Sequence, residues 1–372
     1  MRVRVLIVIT VVTLVLIVGI TRDNALHNQR TPIRIGFLAT LSGPSSELGV
    51  SGRNAVALAV KLVNDAGGLL GRPVEIVAKD LRANRAQDVM AQFVDERVNL
   101  VIGPYRSDGM DFDFSDPRLL VLSPTVANRK LDGIDDNLIR FIEPAEAQGE
   151  VLASYIGGDP TSTRIAIIAD MSNEAYTSEL VLAFTLGLKD QKKEIVFQRS
   201  YHEATASDCA EWSQTISQLG ADAVLVVSDA PGAAMMAQQL RKIGWTGRIL
   251  TGMWSMTQDL QQYGGQAVEG TTACGVCDPE SSAPRYLAFR DHYTAIYGSE
   301  PSFSAVLSYE VADTLFQAIA DYQSLDPAIV KSALVGKQLL GLQSSYLIDR
   351  YGDPERPYQL FMVRDRIFRR VP

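Results

Sequence analysis

Few residues in this chain carry reactive chemistry, and the spacing of those that do argues against catalysis. Cys274 and Cys277 form a C-x-x-C, a spacing that serves zinc or redox work when a second pair or a nearby His completes it. Neither complement is close in sequence. The segment GTTACGVCDPE follows a Gly and precedes a Pro-containing turn, which suits a strand end rather than the helix start that would activate a thiol. Two small semi-buried residues are expected there, with a disulfide in an oxidising compartment as the alternative. His27, His202 and His292 fall in a linker, a loop and a helix surface, none beside a nucleophile. Asp135-Asp136 and Asp111/Asp113 read as solvated turn carboxylates rather than an acid/base pair. No G-x-G-x-x-G follows a strand, and G-x-x-x-x-G-K-[ST], H-E-x-x-H and G-x-S-x-G are missing. The expectation is a protein that is not an enzyme and uses no metal or cofactor.

The elements that would position a site are easier to read. With 372 residues, 47% of them apolar and 21% charged, the chain can form two domains with separate cores. A net charge of −8 and no basic block interleaved with aromatics exclude nucleic acid as a partner. Apolar β-branched runs recur at 33–37, 74–77, 100–102, 119–122, 165–168, 195–197 and 223–227. They are continuous rather than alternating, as strands covered on both faces by helices must be. Ala55, Leu58, Ala59, Leu62 and Val63 form one helical stripe, stopped by Asn64-Asp65-Ala66-Gly67-Gly68. Further helices are expected over 145–156, 175–189, 209–219, 233–243, 284–297 and 304–322. The strand series restarts at Arg164, so two α/β lobes are expected rather than one sheet. The tail 345–371 reads as strands split by the turn cluster 349–354.

The N-terminus has a different character. Arg2 and Arg4 precede an apolar or near-apolar run from Val5 to Ile20, and polarity returns at Thr21-Arg22-Asp23-Asn24. A basic flank before a short hydrophobic stretch is an export signal. No small-x-small cleavage pattern follows clearly, and the run approaches the roughly 20 apolar residues of a membrane span. Residues 1–31 are therefore expected to be a signal peptide or membrane anchor plus linker. If uncleaved, residues 5–20 would hold the protein to the inner membrane.

Several ordered motifs resemble one family. Ser42-Gly43-Pro44 follows the first strand, and Asn64-Asp65-Ala66-Gly67-Gly68-Leu69-Leu70-Gly71-Arg72 closes the first helix. Asp80 ends the second strand, and Val101-Ile102-Gly103-Pro104 leads to Ser107. Leu122-Ser123-Pro124, the run 164–168, Arg241-Lys242-Ile243-Gly244, and Asp349 through Gly352-Asp353 follow in order. From about residue 32 to the C-terminus the chain resembles the type I periplasmic solute-binding proteins of branched-chain amino acid and amide or urea uptake systems.

That resemblance implies two doubly wound α/β lobes joined by a three-crossover hinge, with a ligand held in the cleft between them. The implied division is 32–143 with 273–343 for lobe 1, and 144–272 with 344–372 for lobe 2. The implied function is capture of a small polar solute (amino acid, amide or urea-like, or carboxylate) outside the cytoplasm for the membrane permease of an ABC transporter. A membrane-anchored sensing or adaptor domain on the same scaffold is the alternative. Ser107 matches the pocket serine, with Tyr105 and Arg106 beside it. Thr125, Val126 and Ala127 lie past the next strand. Tyr176 matches the second-lobe aromatic that covers the ligand, if a two-residue insertion near 172–175 is allowed. Asp229 takes the polar or acidic second-lobe position, and Leu48 that of a covering apolar residue. Ala127 replaces the Thr hydroxyl usual in amino-acid binders, and Met253-Trp254 stands where an acidic ammonium partner often lies. Each departure removes a hydrogen bond worth roughly 1.5–3 kcal/mol to a charged group, which disfavours an α-amino acid. Residues 108–118, DGMDFDFSDPR, replace a helix and read as a solvent-facing loop, with a reshaped cleft rim as the alternative.

Overall fold

Two parallel sheets with the same strand order carry the site. The computed structural model describes residues 31–43, 46–81, 85–108 and 113–371, and the apolar run expected to direct export lies outside them. The first sheet holds β1 (Ile33–Ala39), β2 (Val74–Asp80), β3 (Leu100–Ile102), β4 (Leu120–Ser123) and β5 (Leu138–Arg140). Its order is β2-β1-β3-β4-β5, every pairing parallel. Helices α1 (Glu47–Asp65) and α2 (Ala86–Asp95) connect its first strands.

After α3 (Ala145–Gly157) the pattern repeats with β6 (Arg164–Asp170), β7 (Glu194–Tyr201), β8 (Ala223–Val227), β9 (Arg248–Thr251) and β10 (Thr272–Gly275). These pair in parallel as β7-β6-β8-β9-β10. Their helices are α4 (Glu174–Gly187), α5 (Ala206–Gln218), α6 (Ala230–Lys242) and the short α7 (Gln258–Gly264). The chain then returns to the first lobe as α8 (Pro284–Tyr297), α9 (Phe303–Tyr322) and α10 (Pro327–Leu334). A small antiparallel sheet follows, made of β11 (Lys337–Leu340), β12 (Ser345–Ile348) and β13 (Pro354–Glu355). Finally β14 (Gln359–Arg364) and β15 (Ile367–Arg370) add antiparallel strands to the edge of the second sheet beside β10. The chain thus crosses between lobes three times: after β5, after β10 and after β13.

Burial explains the strand sequences. All five residues of β8 are buried, as are six of the seven in β1, so neither face tolerates polar side chains. On α1, Ala55, Leu58 and Ala59 are buried while Leu62 and Val63 are half-buried, so the stripe faces inward over its middle turns. Asn64 ends that helix by pairing with both backbone groups of Val74, at 2.9 and 2.8 Å. Gly68 then takes φ +83°, and a Cβ there would sit 2.0 Å from the Arg72 carbonyl oxygen, so this turn requires glycine. One face of the first sheet packs Ile35, Phe37, Ile102 and Leu122 with Leu315 and Ile319 of α9. The other packs Leu38, Val101 and Val121 with Phe93 of α2.

Candidate functional site

In each sheet the chain builds outward in two directions from its first strand, so the helices on either side of that strand lie on opposite faces. The crevice at the carboxyl ends of the strands flanking this reversal is where open α/β sheets hold ligands. Here those ends are β1 and β3 in one lobe, and β6 and β8 in the other. The residues that follow them are Glu47 and Leu48, Pro104–Asp108, Met171–Asn173, and Ser228-Asp229.

In the first lobe the hydroxyl residues stitch two strand-end loops together. Ser123 Oγ donates to the Pro104 carbonyl at 2.8 Å, and Thr125 Oγ1 donates to the Tyr105 carbonyl at 2.7 Å. The Val126 N–H donates to Ser123 Oγ at 3.1 Å, and the Ala127 N–H to Ser107 Oγ at 3.0 Å. The Ser107 carbonyl accepts from Asn128 Nδ2 at 3.3 Å. Tyr105 is buried, with its hydroxyl 2.6 Å from Ser308 Oγ. Burial raises its phenol well above the usual range. The positions expected from sequence at 105, 107, 125, 126 and 127 therefore do come together. Leu48 is half-buried against the core, and its carbonyl accepts from Ser304 Oγ at 2.7 Å.

The second lobe gathers Tyr176, Met253 and Trp254 around a residue the sequence reading missed, Gln148 of α3. Gln148 Oε1 accepts from the Tyr176 hydroxyl at 2.8 Å and from the Met253 N–H at 2.9 Å. The Trp254 ring meets Tyr176 edge to face, with centroids 6.0 Å apart. Tyr176 is only 5% exposed, so its ring belongs to the lobe interior. No motif marks Gln148, which is a polar residue in an otherwise ordinary helix. Asp229 caps α6, accepting from the Gly232 N–H at 2.9 Å.

The lobes meet through Arg106 and Asp108. Asp108 accepts from the N–H groups of Glu174 at 2.6 Å and Ala175 at 2.7 Å, so a first-lobe carboxylate closes the N-terminus of second-lobe helix α4. Arg106 donates to the Ser172 carbonyl and lies 3.7 Å from the Asp108 carboxylate. Of the solvent-facing loop expected over 108–118, Asp113, Ser115, Pro117 and Arg118 are exposed, while Asp108 and Phe114 depart from that expectation. Asp108 forms the cleft rim, and Phe114 is buried with its carbonyl accepting from Asn137 at 2.9 Å.

Carboxylates from both lobes have raised affinities for their protons near this junction. Burial raises Glu47 to about 7, helped by repulsion from Asp259 and Asp229. Burial also raises Asp170, with Asp229 adding to the rise while the Ser172 N–H and the Arg106 charge oppose it. Asp259 rises through burial and the Asp229 charge. Among the described residues no group of three or more His, Cys, Asp or Glu side chains is arranged to hold a metal ion. Cys274 and Cys277 are free and buried, and burial pushes the Cys277 thiol up to about 12, which leaves it inert. A separate cavity of about 260 Å³ lies among α7, α8, the start of α9 and the β14–β15 turn; no site residue expected from sequence lines it.

Comparison with known proteins agrees with this architecture. A Leu/Ile/Val-binding protein homolog from Brucella suis is 26% identical over 347 residues, covering 87% of this chain and 88% of its own. The branched-chain amino acid transporter substrate-binding protein LivJ from Streptococcus pneumoniae, solved with isoleucine, superimposes with a TM-score of 0.81 at 20% identity. That match covers 91% of this chain and 98% of LivJ. An ABC-transporter solute-binding protein from R. palustris, solved with benzoate, gives a TM-score of 0.81 at 16% identity over 92% of this chain and 96% of its own. The family model for the periplasmic binding proteins matches residues 32–366. The chain belongs to that family of solute-binding proteins.

Proposed function

We propose that this protein captures a small polar solute in the cleft between its lobes, outside the cytoplasm, and presents it to the permease of an ABC transporter. The observation that carries this reading is the junction itself. The loop after β3 and the loop after β6 belong to different sheets, yet Asp108 and Arg106 join them at the strand ends where such sheets hold ligands. Contacts of this kind form on lobe closure and trap whatever lies beneath them. We place the crossovers near 141–144, 276–283 and 356–358, the last two later than the sequence boundaries at 273 and 344. Support comes from β10, which pairs inside the second sheet, and from Tyr346 and Ile348, which pack with the first-lobe core.

The ligands of the relatives, branched-chain amino acids and an aromatic acid, bound the size of the solute rather than its charge. Ser107, with its proton still free to donate, supplies the first-lobe contact in this reading, and Asp229 supplies the second. The test is thermal unfolding of the purified chain against amino acids, amines, amides, urea and carboxylates, followed by small-angle scattering with any stabiliser. A binding solute raises the melting temperature by mass action and reduces the radius of gyration. No shift with any compound overturns the reading.

A further inference from the structure

A first-lobe turn rests on two second-lobe helices through one residue, Arg129. The turn, Arg129–Leu131, is fixed within its own lobe. Asn128 Oδ1 accepts from the Lys130 N–H at 2.9 Å, and Arg140 donates to the Asn128 carbonyl at 3.0 Å and to Asp132 and Asp353. The platform beneath it is equally firm. A Cβ on Gly149 of α3 would lie 2.4 Å from the Leu180 carbonyl oxygen of α4, so these helices pack backbone to backbone and move together.

Across the lobe boundary the Arg129 N–H donates to both carboxylate oxygens of Glu179 in α4, at 2.9 and 3.1 Å. The Arg129 guanidinium pairs with Glu146 of α3. The two carboxylates are thus served unequally: Glu146 has the cation, whereas the half-buried Glu179 has a backbone N–H and no ion pair among the described residues.

The charges around Glu179 are Arg129 and Asp132 beside the turn, Arg140 from β5 and Glu146 from α3. Arg129 is held by Glu146, and Arg140 by Asp132 and Asp353, so neither cation is free to neutralise it. Burial raises the Glu179 carboxyl to about 7 against the opposing Arg129 N–H, and the Asp132 and Glu146 charges add to the rise. Parting the lobes lets water reach the carboxylate and withdraws Asp132, which returns it toward its ordinary 4.5.

We propose that this contact is a proton-operated latch: the lobes close most readily when Glu179 is protonated, so closure takes up a proton and is disfavoured as pH rises. The inference rests on the solute-binding reading above and adds regulation by pH to it. A protonated Glu179 still offers a carbonyl oxygen to the Arg129 N–H but no longer repels Asp132 and Glu146. The preference for the closed form is complete below the open-state value and is lost as pH rises through about 7.

Small-angle scattering of the full chain without added solute, at pH 5 and pH 8.5, tests the latch. The parent has the larger radius of gyration at pH 8.5. Glu179→Gln keeps an oxygen for the Arg129 N–H and carries no charge at either pH. It matches the parent at pH 5 and is more compact than the parent at pH 8.5. There its closed-to-open ratio is higher by about 10-fold for each unit by which closure raises the carboxyl. Equal radii for parent and variant at pH 8.5 overturn the proposal, and so does a difference of the same size at both pH values. A variant more open than the parent at pH 8.5 overturns it too, because the ionised carboxylate would then hold the lobes better. No solute takes part, so each of these failures leaves the solute-binding reading standing; that reading fails separately, when no compound shifts the melting temperature.

Discussion

At the hinge, Glu310 and Arg356 are 2% and 4% exposed and satisfy each other, Arg356 donating to both carboxylate oxygens at 2.6 and 3.3 Å. Glu310 also accepts from the Leu342 N–H at 2.6 Å, the Arg356 N–H donates to Glu143 at 2.7 Å, and the guanidinium lies 4.7 Å from the Tyr346 ring centre. In the cleft, Glu47, Asp229 and Asp259 repel one another instead. Both regions lie where the lobes meet, but the hinge is electrostatically complete and the cleft is not. A complete pair fixes geometry, so the segments around 143, 342 and 356 are held against α9 through any lobe motion. An incomplete set lowers the stability of the protein alone and is relieved by a partner of opposite charge.

Breaking the hinge pair should cost most. Arg356→Ala strands a buried carboxylate and should destabilise by about 3–5 kcal/mol in urea unfolding, whereas Arg356→Met with Glu310→Leu should recover most of that loss. If the single and double variants are equally unstable, the hinge pair acts by packing and the contrast with the cleft fails. Asp108→Ala should come next, at about 1–2 kcal/mol, because two N–H groups of α4 lose their acceptor. Its sharper readout is scattering: the variant should have a larger radius of gyration, and an unchanged value would mean that the cap does not hold the lobes together.

Removing charge from the cleft should have the opposite sign. Glu47 holds its proton up to about pH 7 in the fold but only to its ordinary 4.5 in the unfolded chain. The folded state therefore binds more protons across that window, and stability falls as pH rises through it. Glu47→Gln should be more stable than the parent by about 1–2 kcal/mol at pH 8 and equal to it at pH 4. A difference that does not change with pH would remove the claim that this carboxylate is strained by its neighbours. The smallest effect is expected from Ser107→Ala, about 1 kcal/mol for the orphaned Ala127 N–H, read by thermal unfolding. A loss of several kcal/mol there would make the strand-end stitching structural rather than part of the cleft.

The strands legible from sequence are those whose both faces are covered, since continuous apolar runs leave no ambiguity about burial. The runs at 33–37 and 165–168 became β1 and β6, each extended by the residues that reach the cleft. The strands β5, β9 and β10 are not legible because none holds more than two consecutive apolar residues, whereas the equally short β3 and β4 hold three. The first-lobe candidates around Ser107 and Ala127 were found because strand ends can be located in a sequence. Asp108 was read as part of a solvent loop, since nothing local distinguishes a carboxylate facing water from one capping a helix in the other lobe. Gln148 was missed for the same reason.

The sequence by itself determined two covered parallel sheets and the family to which their ordered motifs belong, because burial pattern and turn chemistry are local properties of the chain. Tertiary structure alone decided which charges share a space. Glu47, Asp170, Asp229 and Asp259 sit on different strand ends and helices of two lobes, and only the folded chain brings them near enough for one to raise another's carboxyl. Coulomb repulsion and the cost of desolvating a charge depend on distance through space and on burial, which are set by that packing and not by spacing along the chain.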